Sequence, residues 1–428
     1  MSSKHVEEEI LIQSWGSQGN AVGRLSDGRT VFVRGVIPGE KVRVRCPRTD
    51  KSFTDGRLLA VISSSPERIR PECPYFGPCA LCHYQFLPIE AQINAKRSIL
   101  LEQLTRIGGL NQPENCFKPF IGSPNAFAYR KKMHFSVLPD GRLGLPSMHG
   151  KQTIPVSRCP VCSDTINQMI GKVVFEEGSG VEFLDIREGK EEEIQLILRG
   201  DSPKPETEIE TDLPVSLVYS SPEGSYVMAG DSTIPQSMAA LDIFSSEDSF
   251  FYPNPDIYSE VCSVLADSLG NIADETVFNL NAGTGFWSKW FASSCRKVIA
   301  QEIDERLAED FTLNLDAFDN VELYIGAVNE VIPALKDKIS IAVIESAAGG
   351  LSPNTIEALT AKKVGRIIYV GHDSALLARD AARLAASGYQ LDVLIPFDNE
   401  PQTARISAVA VYRLQSAPAQ GEYHGKTS

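Results

Sequence analysis

Apolar and polar residues alternate with a period of two in the first part of the chain. The runs Arg29-Thr-Val-Phe-Val-Arg34 and Lys41-Val-Arg-Val-Arg45 show this most clearly. Such alternation is typical of strands with one buried face, and turn residues separate the runs. Residues 7–62 therefore predict a small OB-like barrel of five strands. The same alternation places the basic side chains of Arg43 and Arg45 on one outer face.

A different pattern begins near residue 251, where short apolar strands alternate with helical runs. The predicted strands are Thr276–Leu280, Lys297–Ala300, 339–344, 366–370 and 390–395. Apolar strands separated by helices favour a largely parallel sheet with helices on both faces. The C-terminal part is therefore predicted to be a Rossmann-like domain.

The residues between these two regions predict a mixed α and β domain. A helix is expected over 89–107, with Pro88 before it and Gly108-Gly109 after it, and its apolar stripe is expected to pack under a cysteine-rich loop. The fold class is thus multidomain α/β. The expected domains are 1–65 for the barrel, 66–250 for the central domain and 251–415 for the Rossmann-like domain, followed by a disordered tail at 416–428.

The cysteine-rich loop reads Cys73-Pro-Tyr-Phe-Gly-Pro-Cys79-Ala-Leu-Cys82. Short spacings between cysteines, with turn residues between them, are typical of ligand loops for iron–sulfur clusters or zinc. Three thiolates require a fourth ligand, and the next pair of cysteines is Cys159 and Cys162. The nine cysteines are clustered and odd in number, which favours a metal site in a reducing cytoplasm over a set of disulfides.

Charge is distributed unevenly along the chain, whose net charge is −14. Residues 1–162 contain 22 of the 41 Lys and Arg but only 13 of the 55 Asp and Glu. This asymmetry indicates a polyanionic partner for the N-terminal part. Cations are mixed with aromatic rings in the segment Tyr129-Arg-Lys-Lys-Met-His-Phe135. The predicted RNA contacts are therefore Arg43, Arg45, Arg130, Lys131 and Lys132. A solvated basic strand fits the segment nearly as well. No apolar run long enough for a signal or a membrane span is found, so a cytoplasmic protein is expected.

A glycine turn follows the first strand of the Rossmann-like region. The turn reads Asn281-Ala-Gly-Thr-Gly-Phe286, and the next strand ends at Glu302. Glycines at this point let the backbone approach an adenosyl group, and an acidic residue at the end of the second strand can bind ribose hydroxyls. Asn281, Gly283, Gly285, Phe286 and Glu302 are therefore candidate cofactor contacts. These features fit S-adenosylmethionine and a dinucleotide equally.

Taken together, residues 7–413 resemble the RNA uracil-5-methyltransferase family. Gly19-Asn-Ala-Val-Gly-Arg24 and Pro38-Gly-Glu-Lys-Val42 are similar to its N-terminal TRAM domain. The resemblance implies an S-adenosylmethionine-dependent enzyme that acts on structured RNA, either rRNA or tRNA, and we expect a monomer. It also implies a [4Fe-4S] cluster held by Cys73, Cys79, Cys82 and Cys159, and further cofactor contacts at Tyr252 and Glu345.

The resemblance fails at the two residues that carry the family's reaction. Tyr369-Val-Gly-His-Asp373 stands where the family has Y-V-S-C-N, so His372 replaces the nucleophilic cysteine, and no cysteine follows Cys295. Pro401-Gln-Thr-Ala-Arg-Ile-Ser407 stands where the family has P-[HQ]-T-x-x-x-E, so Ser407 replaces the catalytic base. Asp373, next to His372, is expected to favour a charged imidazolium.

Three functions remain open from the sequence. The first is an RNA-binding iron–sulfur protein in which methylation of uracil carbon 5 is impaired or lost. The second is an active S-adenosylmethionine-dependent RNA methyltransferase with altered chemistry or a different target atom. The third is a redox sensor built around the cluster.

Overall fold

A computed structural model describes residues 5–49, 51–148, 150, 152–202, 214–346 and 349–415. The predicted tail at 416–428 lies outside these residues. The N-terminal residues form a closed barrel of five strands in the order β1-β2-β3-β5-β4. The strands are β1 (His5–Trp15), β2 (Asn20–Arg24), β3 (Thr30–Arg34), β4 (Lys41–Pro47) and β5 (Phe53–Ser63). In β4 the burial alternates strictly, as the sequence predicted.

The central region contains a sheet of seven strands in the order β12-β11-β10-β9-β6-β7-β8. In chain order this region comprises α1 (Ile89–Arg106), β6 (Lys132–Val137), β7 (Leu143–Pro146), β8 (Thr153–Pro155), α2 (Asp164–Lys172), β9 (Phe183–Glu188), β10 (Ile194–Arg199), β11 (Val215–Ser221), β12 (Gly224–Ala229), β13 (Ile234–Met238) and β14 (Leu241–Ser245). The last two strands pair only with each other. One face of the large sheet packs on α2 and on the cysteine loop to form a shared apolar core.

The C-terminal region contains a second sheet of seven strands in the order β17-β16-β15-β18-β19-β21-β20. Its strands are β15 (Thr276–Leu280), β16 (Lys297–Glu302), β17 (Val321–Ile325), β18 (Ile341–Glu345), β19 (Arg366–Gly371), β20 (Tyr389–Phe397) and β21 (Ser407–Leu414). Its helices are α3 (Tyr258–Leu269), α4 (Phe286–Ala292), α5 (Glu305–Leu315), α6 (Val328–Ala334), α7 (Pro353–Ala361) and α8 (Ser374–Ala386). Two large cores cover the two faces, which confirms the predicted Rossmann-like architecture.

The strand order reverses between β15 and β18, both of which pair in parallel with their neighbours. In open α/β sheets such a reversal opens a crevice at the carboxyl ends of the strands. The sequence pattern missed β17 and β21. Strand β17 is short and largely exposed, so it lacks the apolar run of a buried strand, and β21 runs antiparallel to its neighbours.

The prediction for α1 was wrong in one respect. Its apolar residues Ile99, Leu100 and Leu104 pack into the core of the C-terminal sheet, against α8, and not under the cysteine loop. Helix α1 therefore belongs to the C-terminal unit although it precedes most of the central sheet in the chain. A local pattern gives the apolar face of a helix but does not say which distant surface covers it.

Helix α1 also holds the segment that connects β20 to β21. Lys96 and Asp398 form an ion pair at 2.6 Å, and both side chains are 0% exposed. The Lys96 ammonium donates a second hydrogen bond to the Glu400 carbonyl. Gln92 in α1 and Gln402 exchange hydrogen bonds through their side chains and backbone. This segment therefore has a fixed position because buried polar groups of α1 specify it.

No helix in the described parts of the chain combines the length and the apolar character needed to cross a membrane.

We predict that Lys96→Met destabilises the protein by about 3–5 kcal/mol, because it leaves the Asp398 carboxylate buried without its partner. Urea unfolding followed by the fluorescence of Trp287 and Trp290 measures this loss. Lys118→Met provides a control at a lysine for which the structure gives no ion pair. The double variant Lys96→Met/Asp398→Asn should recover part of the loss, and a single variant as stable as the parent would contradict the prediction.

Candidate functional site

The predicted glycine turn lies at the carboxyl end of β15. Gly285 has a φ of 88°, and a Cβ atom there would lie 2.3 Å from the Leu315 side chain, so only glycine fits. Asn281 also adopts a left-handed conformation, with a φ of 49°. The turn is therefore compact, and its Gly285 amide donates back to the Ala282 carbonyl.

The Glu302 carboxylate fixes the glycine turn to the end of β16. One of its oxygens accepts a hydrogen bond from the Gly283 amide at 2.8 Å. The other accepts from the amides of Ile303 and Asp304. Glu302 is only 4% exposed. The strand, the turn and the terminal acid thus meet as the sequence predicted.

A cleft of about 260 Å³ opens at the switch point of the sheet. It is lined by Asn281, Glu345 and residues from the beginning of α6 and α7. Two of the predicted cofactor contacts, Phe286 and Tyr252, do not line this cleft and lie behind it. Phe286 is 1% exposed and packs its ring against Tyr252 and Tyr258. Both Phe286 and Tyr252 belong to the aromatic core under the crevice.

Five side chains form a continuous hydrogen-bond network at the bottom of this cleft, here called the Glu345 network. The Tyr252 hydroxyl and the Trp287 indole N–H donate to Glu345 Oε2, at 2.5 and 3.0 Å. His372 Nε2 lies 2.9 Å from Glu345 Oε1. His372 Nδ1 lies 3.0 Å from the Ser407 hydroxyl. His372 and Ser407, which the sequence analysis expects at the positions of the family's nucleophile and base, are therefore in direct contact.

The partners of His372 determine which nitrogen carries its proton. An ionised carboxylate can only accept, so the ring donates to Glu345 from Nε2. In the neutral ring Nδ1 then accepts the hydrogen bond of the Ser407 hydroxyl. Both nitrogens are engaged, and neither presents a free lone pair to the cleft. Burial, followed by the charge of Glu345, holds the pKa of the Tyr252 hydroxyl well above its usual value, so this group stays a donor.

Asp373 does not act on His372 as the sequence analysis expected. Its carboxylate caps α8 by accepting hydrogen bonds from the amides of Ala375 and Leu376, both at 2.9 Å. The acid that contacts the imidazole is Glu345, which lies 27 positions away along the chain. Asp373 therefore explains where α8 begins, and the Glu345 network explains the orientation of His372.

A thiol near this network comes from Cys262 in α3. Cys262 is 3% exposed. Burial, and to a lesser extent the charge of Glu345, raises its pKa to about 12. The reactive form of cysteine is the thiolate. Cys262 is therefore an apolar core residue and does not substitute for the missing nucleophile.

The four predicted cluster ligands line one small cavity. Cys73, Cys79, Cys82 and Cys159 are brought together there, with Tyr75, Phe76 and Leu145 among the apolar residues around them. Burial is the main cause that raises the pKa of the first three thiols. Within the described residues, no group of three or more His, Cys, Asp or Glu side chains is arranged around a single metal ion.

Cys162 lies outside this cavity and is 0% exposed. Its thiol donates a hydrogen bond to Cys159, which lowers the pKa of Cys159 to about 7 in spite of burial. Asn167 in α2 further fixes this turn by accepting from the Cys159 amide and donating to the Cys159 and Cys162 carbonyls. The geometry thus separates a cavity-facing Cys159 from a supporting Cys162.

Of the predicted RNA contacts, the group in the central region is half-buried. Arg130 is paired with Glu400, and Lys131 is paired with Glu188. Burial lowers the pKa of Lys132 to about 8. These cations link the central sheet to neighbouring segments. The geometry gives Arg130 and Lys131 a structural role and does not present them as a basic surface.

Arg43 and Arg45 do lie on the outer face of the barrel, as predicted, with about half of each side chain exposed. However, Arg43 is paired with Glu9 at 2.9 Å and Arg45 with Glu7 at 2.6 Å. Lys41 is also paired with Glu9. The alternating pattern of β4 gives no sign of the two acids on β1, and these acids pair with all three cations of β4.

Comparison with known proteins places these features in a wider context. Residues 6–59 match the family model for the TRAM domain. Uncharacterised RNA methyltransferases of Gloeobacter violaceus and Clostridium acetobutylicum are each 26% identical, over 94% and 96% of this chain and 95% and 97% of their own. The crystal structure of Pyrococcus abyssi tRNA (uracil-54, C5)-methyltransferase with S-adenosyl-L-homocysteine has the same fold, with a TM-score of 0.74 at 19% identity over 95% of this chain and 100% of that one.

One member of the Glu345 network was missed in the sequence. Trp287 lies in the first turn of α4, directly after the glycine turn, and its indole N–H donates to Glu345. An aromatic residue with a polar edge at this position was a possible signal, because a buried indole N–H needs an acceptor.

We predict that Tyr252→Phe destabilises the protein by about 1.5–3 kcal/mol, because it removes a buried hydrogen bond to a charged acceptor. Urea unfolding monitored by circular dichroism measures the change. Tyr324→Phe is a matched control, since the Tyr324 hydroxyl donates at 3.2 Å to Glu322 on the surface. Equal effects of the two substitutions would argue against a strong hydrogen bond in the network.

Proposed function

We propose that this chain is a member of the RNA uracil-5-methyltransferase family, and that it is an RNA-binding iron–sulfur protein that has lost methylation of uracil carbon 5. In this proposal the protein keeps a pocket for S-adenosylmethionine, a [4Fe-4S] cluster and an RNA-binding barrel. The RNA is a structured rRNA or tRNA.

The observation that carries this proposal is the position of His372. The reaction at carbon 5 requires a thiolate that adds to carbon 6 of the ring, since carbon 5 alone is too electron-poor to attack a methyl sulfonium. A base then removes the proton from carbon 5 so that the thiol can leave. His372 and Ser407 occupy these two positions, and they contact each other. Their mutual hydrogen bond leaves neither group free for its role.

The cofactor pocket supports retained binding of S-adenosylmethionine. In this proposal the Gly283–Gly285 turn and Glu302, at the ends of the first two strands, form the side of the pocket that faces the adenosyl group. Glu302 accepts three backbone hydrogen bonds and keeps the turn closed. The adjoining cleft at Asn281 and Glu345 is open to receive the methionine portion of the ligand.

The cysteine cavity fits an iron–sulfur cluster better than a zinc ion. Thiolates that share one zinc ion converge on a single point within bonding distance, and the described residues offer no such convergence. In a [4Fe-4S] cluster each thiolate binds a separate iron atom. Cys73, Cys79, Cys82 and Cys159 line one cavity without that convergence. Such a cluster would crosslink the loop to the turn before α2.

A second candidate is direct methyl transfer to a nitrogen or oxygen atom of RNA. The hydrogen bonds that link Glu345, His372 and Ser407 favour this second candidate, because an imidazole oriented by a carboxylate is a suitable general base. The acceptor atom would form a bond to the methyl carbon while the carbon–sulfur bond breaks. Its proton would pass to the Ser407 hydroxyl while that hydroxyl's own proton moves to His372 Nδ1. This reaction needs no covalent enzyme intermediate, so the absent cysteine would not prevent it.

We predict that the purified protein forms no 5-methyluridine when it is incubated with total RNA and methyl-labelled S-adenosylmethionine, because no thiolate is available at carbon 6. Nucleoside analysis by mass spectrometry measures the products. Calorimetric binding of S-adenosylhomocysteine serves as the control that the pocket is intact.

Formation of 5-methyluridine by the parent protein would refute the main proposal. Formation of a different methylated nucleoside that disappears with His372→Ala, but not with Asp373→Ala, would instead establish the second candidate. Asp373 is the matched control because it adjoins His372 and caps α8 without entering the network.

We predict that Cys159→Ala abolishes most of the bound iron, whereas Cys162→Ala retains it, because Cys159 lines the cavity and Cys162 does not. Iron content and visible absorbance after anaerobic purification report the cluster directly. Retention of iron by Cys159→Ala together with its loss in Cys162→Ala would reverse the assignment of the fourth ligand.

A further inference from the structure

We propose that the outer face of β2, β3 and the beginning of β5 is the surface of the barrel that binds single-stranded RNA. This face, here called the Phe53 face, is formed by Val22, Arg24, Phe32, Lys51 and Phe53. It differs from the β4 face that the sequence suggested. The inference rests on the proposed RNA binding and names the surface and the form of RNA.

Register places these side chains together. Val22 pairs with Phe32 between β2 and β3, and Arg24 pairs with Thr30. Thr30 in turn pairs with Phe53 across the parallel strands β3 and β5. The rings of Phe32 and Phe53 lie 6.3 Å apart at an interplanar angle of 73°. Two aromatic rings and an arginine therefore occupy neighbouring positions on one outer surface.

Phe53 is 52% exposed, and it lies beside a second aromatic ring on the same face. An open groove of about 460 Å³ runs beside it and is lined by Arg24, Phe32 and Phe53. The Lys51 ammonium lies 6.0 Å from the Phe53 ring centroid. The groove thus combines an apolar floor with cations at its edge.

The cations of the Phe53 face can contact phosphates without first breaking an ion pair, whereas those of β4 are paired with acids. Arg24 and Lys51 form no ion pair with any residue that the structure describes, and Arg24 donates only to the Gly28 carbonyl. Arg43 and Arg45, by contrast, are paired with acids on β1. One acid, Asp55, lies beside Phe32 in the register. The Phe53 face therefore carries positive charge that can contact phosphates.

Exposed aromatic rings next to cations are suited to unpaired nucleotides. Bases of a single strand stack on aromatic side chains while nearby cations contact the phosphates. A duplex keeps its bases stacked internally and offers no free ring face to Phe53. In OB-like barrels the face of the second and third strands is also the one on which oligonucleotides bind. The geometry therefore favours single-stranded RNA over a duplex.

The test measures binding of the full-length protein to a fluorescent uridine oligonucleotide of about 12 nucleotides, a length within the range that one OB-like barrel covers. Phe53→Ala should lower the affinity by about tenfold or more, because it removes a stacking surface. Leu11→Ala is the matched control: Leu11 is 57% exposed on β1 of the same barrel. The Leu11→Ala variant should bind the oligonucleotide with the same affinity as the parent protein.

Salt dependence separates the roles of ring and cation. Arg24→Ala should reduce the slope of log affinity against log salt by about 0.7, the value for one phosphate contact on a single strand. Phe53→Ala should leave the slope unchanged. Arg43→Ala is the charge-matched control on the β4 face, where Arg43 is paired with Glu9. It should alter neither the affinity nor the salt slope.

If the parent protein binds the oligonucleotide and Phe53→Ala binds equally well, this inference fails while the proposed RNA binding stands. Stronger binding of a duplex of the same length would also overturn it. If the parent protein binds neither single-stranded RNA, duplex RNA nor total cellular RNA, the proposed function fails with it.

Discussion

A single carboxylate, that of Glu345, determines the arrangement of the centre. It accepts hydrogen bonds from Tyr252, Trp287 and His372, which come from three separate elements of the C-terminal region. The Glu345 side chain is 19% exposed, and a carboxylate that is largely shielded from water is stable only when its lone pairs are satisfied. The positions of these donors are therefore mutually dependent, and Ser407 is added to the set through His372.

This dependence gives a physical reason for treating the changes at positions 372 and 407 as one change. A cysteine at 372 could not bridge Glu345 to residue 407 as an imidazole does, because it lacks a second polar atom. A glutamate at 407 would place a second acid close to Glu345, where like charges oppose each other. The histidine and the serine are both compatible with Glu345.

The local patterns of the sequence were sufficient for the barrel, the largely parallel sheet and the glycine turn, because burial alternates or runs continuously in those elements. They also identified Cys73, Cys79 and Cys82, whereas the choice of Cys159 as the fourth cysteine came from the resemblance to the family. They could not indicate the partner of α1, the acids that pair with Arg43 and Arg45, or the ion pair of Arg130 with Glu400. Each of these depends on a residue distant in sequence, and single-segment patterns contain no such information.

The segment between β20 and β21 connects the cysteine region to the Glu345 network. The carbonyl of Gln402 accepts hydrogen bonds from the amides of His83 and Tyr84, at 2.7 and 2.9 Å, directly after Cys82. The Tyr129 hydroxyl donates to the carbonyl of Pro401. Ser407 lies five residues after Gln402. A cluster bound at Cys82 would thus stabilise the segment that positions Ser407, without taking part in any reaction there. This would give the cysteine cavity a structural role that does not depend on methyl transfer.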